Sequence, residues 1–211
     1  MTAVSFRLAR GGIPGVFLLA LLALGGCSAS FRTDYPEPVP AEVSQGWRFA
    51  EAEVTVPDAL TVSEARTLLP RADIVWREDP EGDRKAQVAR IVADAVAEAA
   101  SGLPGTTPVT IRVTITRFHA LTFEAEARNW KAGVHDVEFT AEVLDAATGA
   151  VLKGPDAIQA SLPAMAGAEM AAARARGETQ KSQIRAHLVA TLRGWLGIGP
   201  DVRGSFSRIG G

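Results

Sequence analysis

Val109-Thr110-Ile111-Arg112-Val113-Thr114-Ile115-Thr116 alternates β-branched apolar side chains with threonine and arginine. A period of two places one face on a core and the other toward water, which is the pattern of a half-buried strand. The same odd parity resumes at Leu121, Phe123, Ala125 and Ala127, with Arg117 and His119 between, and it recurs at Val137, Phe139, Ala141 and Val143. A straight strand from 109 to 127 would far exceed the usual ~3–10 residues, so a bend or bulge is expected at 117–120. Odd positions face odd positions across a hairpin only in certain registers. Phe123 is therefore expected opposite Val137 or Phe139, His119 opposite Ala141 or Val143, and the tip within Arg128–Val134.

Elements on either side extend this sheet. Ala52, Val54 and Val56 alternate with Glu51, Glu53 and Thr55, and Trp47 and Phe49 have the opposite parity, so a strand over 47–56 should bulge near 50–51. Ser63 reads as the cap of a short helical turn ending at Pro70, and 73–77 as a short strand. Asp79-Pro80 looks like the start of a helix whose stripe is Val88, Ile91, Val92, Ala95, Val96 and Ala99. Asp145 to Gly149 reads as a turn into return strands over 150–153 and 157–162. Residues 164–176 fit either a helix or a linker. A second amphipathic helix begins near Glu178 and carries Ile184, Leu188, Thr191, Leu192 and Trp195. The class these elements imply is α+β: an antiparallel sheet of about five strands with two amphipathic helices packed on one face, forming a single domain over 47–197. A flexible glycine-rich tail is expected over 198–211.

The N-terminus decides location. Arg7 and Arg10 precede a short apolar run from Val16 to Leu24, well below the ~20 residues needed to span a bilayer, so residues 1–26 read as a signal peptide. Leu24-Gly25-Gly26-Cys27 resembles the bacterial lipobox, and Cys27 is the chain's one cysteine, so it has no disulfide partner and is the expected site of lipidation. Residues 27–46, with Pro36, Pro38 and Pro40, read as the lipidated cysteine and a Pro-rich tether. Ser28 after the cysteine favours the outer over the inner membrane. The chain is thus expected to be a membrane-anchored lipoprotein facing the periplasm.

With 22 basic and 24 acidic residues scattered along the chain, there is no concentrated basic face and no expectation of nucleic acid. No motif for nucleophilic, phosphate or metal chemistry occurs, so no catalytic residue, metal site or cofactor is assigned. Two groups of candidate binding residues stand out. Arg117 and His119 occupy an inward parity where a charge must be paired or solvated. Either they form a polar groove at the sheet edge, or a bulge turns both outward. Arg128, Trp130 and Lys131 put a tryptophan between cations at the hairpin tip, where it serves as a contact residue or as a lid over the sheet edge.

Asp73-Ile74-Val75-Trp76-Arg77, the helix from Asp83, Arg117-Phe118-His119-Ala120 and the Asp145–Gly149 turn together resemble an uncharacterised family of short proteobacterial lipoproteins. The strand ending in Arg117-Phe118 and the turn are also similar to periplasmic auxiliary lipoproteins of envelope transport systems. The resemblance implies no catalytic residues. The function expected is a non-catalytic, lipid-anchored periplasmic binding or scaffolding domain with an envelope protein partner. The alternatives are a carrier of an apolar ligand, disfavoured by the small alanines that close the helix–sheet interface, and an enzyme without a recognisable motif.

Overall fold

A computed structural model describes residues 28–128 and 133–209. The strands are β1 (Ser28–Asp34), β2 (Trp47–Thr55), β3 (Ile74–Val75), β4 (Thr107–His119), β5 (Val134–Asp145), β6 (Val151–Ala160), β7 (Leu162–Pro163) and β8 (Gly204–Ile209). The helices are α1 (Ala41–Ser44), α2 (Arg84–Ala100), α3 (Phe123–Glu126), α4 (Gly167–Ala175) and α5 (Gln180–Trp195). Among the described residues no helix is long and apolar enough to cross a membrane.

The α+β class holds, but the sheet has eight strands rather than about five, in the order β2-β4-β5-β6-β1-β8 with β3 and β7 as short additions. It is also mixed: β2 and β3 run parallel to β4, while the other pairs are antiparallel. The physical reason lies in the connection. The chain between β2 and β4 carries α2, and a crossover of that length returns the next strand in the same direction, which a tight turn cannot do.

Helices α2 and α5 pack on one face of the sheet. The α2 stripe of Val88, Ile91, Val92, Ala95, Val96 and Ala99 meets Ile111, Val113, Ile115, Val137, Phe139 and Val143, all essentially inaccessible to solvent. Each Val, Ile or Phe among them contributes roughly 1.5–3 kcal/mol of transfer free energy. The small side chains of Ala95, Ala99 and Ala141 lie at this interface, inaccessible to solvent. Helix α2 is capped by Asp83, whose side chain accepts from Ala86 N. Asp79 instead takes the Trp76 indole at 2.9 Å and the Lys181 ammonium at 2.7 Å. A capping box of Thr179 and Ser182 starts α5. Residues 164–176 do contain a helix, α4.

Both chain ends correct the sequence reading. The expected tether contains β1, whose Thr33 meets His187 of α5. Tyr35 and Val39 are buried in the core, and Val39 N donates to Trp195 O at 2.9 Å. The expected tail contains β8, paired with β1 from Ser28↔Ile209 to Thr33↔Gly204. The prolines between Tyr35 and Pro40 end one strand and lead into α1 rather than extend a spacer.

The hairpin register differs as well. Strand β4 stops at His119, and Thr122 caps α3 by accepting from Ala125 N, so Leu121–Ala127 is not strand. Phe118, not Phe123, faces Val137, Ile115 faces Phe139, and His119 faces Asp136. The bulge near Ala50 forms between Phe49 and Glu51, and a second lies between Ile115 and Arg117.

Candidate functional site

The bulge between Ile115 and Arg117 shifts the parity of β4, so Phe118 enters the core while Arg117 and His119 turn to the face that α2 and α5 leave open. The bulge turns the pair to that face, and both residues line a groove there. Its volume is about 440 Å³, and its walls are Phe31, Leu68, Leu69, Val75, Leu121 and Val134, with Pro70, Arg71 and Ala120 at the sides and Arg117, His119 and Asp136 on the floor. It lies where β4 ends and β5 begins. Helix α5, the α2 stripe and the core stay on the other side of the sheet.

The floor is a closed hydrogen-bond network. Arg117 Nε donates to Asp136 Oδ2 at 2.8 Å, and Arg117 Nη2 contacts His119 Nδ1 at 3.0 Å. A guanidinium only donates, so Nδ1 must accept, which puts the imidazole proton on Nε2, where it donates to Ala72 O. Burial, with Arg117 nearby, holds the imidazole below its ordinary pKa and keeps it neutral. Asp136 Oδ1 accepts from Ser161 Oγ at 2.7 Å. Burial and the neighbouring Asp136 push the Glu138 carboxyl up. Ser161, buried against Asp136, is not part of the groove's lining. The groove itself offers apolar walls over a hydrogen-bonded polar floor, with the Arg117 side chain 39% exposed.

Arg128 is exposed at the end of α3 and does not line the groove. Cys27, Trp130 and Lys131 lie outside the described residues. The three histidines are separated: His119 faces the groove, His187 meets Thr33 Oγ1 at 2.8 Å, and His135 is buried on the helix side. Among the described residues no cluster could hold a metal ion. Phe31, Leu68, Leu69, Asp136 and Ser161 escaped the sequence reading. Leu68-Leu69-Pro70 carried the available signal, since two leucines before a proline in a segment that is not helical have no core face to occupy. Ser63 caps nothing there, its hydroxyl accepting instead from Ala65 N.

Fold and groove together define a single-sheet α+β domain with helices on one face and a ligand-sized, open groove on the other. The chain belongs to the DUF6778 family, a family of unknown function whose model matches residues 47–211, in keeping with the uncharacterised family that the sequence resembles. Among solved structures, the chain is similar to the PelC dodecamer from Paraburkholderia phytofirmans. Identity is 11%, coverage 79% of this chain and 96% of that one, and the TM-score 0.33. It is also similar to protein XCC0632 from Xanthomonas campestris, of the DUF330 family model, at 12% identity, covering 76% and 87%, with a TM-score of 0.43. No curated protein matches the chain.

Proposed function

We propose that the protein is a non-catalytic, lipid-anchored domain of the cell envelope, facing the periplasm, that binds a partner through the groove floored by Arg117, His119 and Asp136. The observation that carries this reading is positional. β1 starts one residue after Cys27 and places Phe31 in the groove wall, so the expected attachment point and the groove share one end of the sheet. The buried, small Ala95, Ala99 and Ala141 between helices and sheet favour this reading over an apolar carrier.

Affinity capture from the native membranes tests this reading. Leu69→Glu places a charge on the groove rim, and Val151→Glu places one on the exposed far end of β6. Capture lost with Leu69→Glu and kept with Val151→Glu is the expected result. Equal capture by both variants would remove the groove from the reading.

A further inference from the structure

The tether expected from sequence does not exist as a spacer, and that changes how the domain sits. β6 runs toward the groove end, and β1 joins it only through Thr33↔Ala160 and Asp34↔Gln159. Because β1 is antiparallel to β6, residues 28–32 extend past the end of β6 at the groove side, paired there with β8. This β1–β8 ribbon projects from the groove end and begins at Ser28, the residue that follows Cys27 in the sequence. At roughly 3.4 Å per residue, Phe31 lies about 10 Å along the strand from Ser28.

The ribbon and the groove rim show the same chemistry. Phe31 pairs with Phe206 across the ribbon, their rings stacked at 5.8 Å, and Arg208, of the same parity, reaches over the Phe206 ring. Arg208 Nε is shielded from solvent and has no hydrogen-bond partner among the described residues. On the facing wall Leu68, Leu69 and Pro70 form the rim, Leu69 being 66% exposed, with the exposed Arg71 beside them. Apolar side chains ringed by cations at the attachment end suit the boundary between acyl chains and anionic headgroups, where such surfaces bury to a depth of roughly 5–10 Å.

We propose that the groove end is a membrane-contact surface, with Leu68, Leu69 and the Phe31–Phe206 face against lipid chains and Arg71 and Arg208 on phospholipid phosphates of the leaflet that holds Cys27. This rests on the anchoring reading above and names the partner of the groove rim as the bilayer itself. The opposite end of the sheet faces away from the membrane. Leu144, ten residues along β5 from Val134, is about 34 Å from the groove at strand spacing and pairs with Val151.

Lipidation consumes the only native thiol, so a single introduced cysteine can be labelled in the full-length lipidated protein. Leu69→Cys and Val151→Cys, both at exposed positions, carry an environment-sensitive fluorophore, and the proteins are reconstituted into phosphatidylethanolamine–phosphatidylglycerol vesicles with and without nitroxide-labelled lipid. The expected result is a blue shift and loss of emission to the nitroxide at position 69, with neither at 151. Protein that floats with the vesicles but shows the same unquenched emission at both positions would overturn the membrane contact and leave the anchor standing. Protein that does not float would overturn the anchoring reading and the contact together.

Discussion

A side-chain carbon on Gly194 would fall 2.2 Å from the Tyr35 hydroxyl, so α5 and the segment after β1 approach closely enough that only glycine fits between them. The same hydroxyl donates to Asp201 Oδ1 at 3.0 Å and accepts from Val202 N at 3.3 Å, tying both chain ends to one helix. Gly194→Ala should therefore destabilise the domain by about 1–3 kcal/mol, the usual cost of overpacking. Denaturant unfolding measures it, and an unchanged midpoint would mean that the N-terminal segment is not docked.

His135 gives the domain an acid-sensitive component. It is wholly buried, neither ring nitrogen has a partner among the described residues, and burial lowers its pKa from 6.5 to about 4 against the opposing pull of Glu126. The unfolded chain therefore takes up this proton first as pH falls. The stability concerned is fully present above pH 6.5 and is lost between 6.5 and about 4, amounting to about 3 kcal/mol at ~1.4 kcal/mol per unit. His135→Leu should flatten the stability profile across that window while leaving the lower-pH loss due to carboxylates. Parallel slopes for both proteins over pH 4–6.5 would contradict this.

Asp136 organises the groove floor by accepting from Arg117 and Ser161 at once. Asp136→Ala leaves a half-buried guanidinium and a buried hydroxyl without their acceptor, and a loss of about 2 kcal/mol is expected from hydrogen bonds to a charged group. It also frees Arg117 to release His119 Nδ1, so the His119 titration followed by NMR should move. A His119 shift identical to wild type would show that the Arg117–His119 contact does not depend on Asp136.

Period-two and period-3.6 patterns made the central strands and both long helices legible, because each buries one face and the core sets the parity. The stripe from Val88 to Ala99 and the odd face from Val109 to Ile115 are buried as read. What was not legible depended on partners remote in sequence. β1 and β8 are short, polar and glycine- or proline-flanked, and they become strands by pairing with each other across most of the chain. The Ile115–Arg117 bulge was foreseen within a few residues, but strand β4 ended earlier than alternation implied because Thr122 caps a helical turn. Arg117 and His119 were legible as a pair out of place. Their partners Asp136 and Ser161 were not, since only the true register brings His119 opposite Asp136.

Cys27 carries the weight of the anchored, membrane-facing account, and incorporation of labelled palmitate in cells tests it most directly. The wild-type chain should take up label and sediment with membranes, while Cys27→Ala should take up none and be found uncleaved or in the soluble fraction. Label retained by Cys27→Ala would contradict the account.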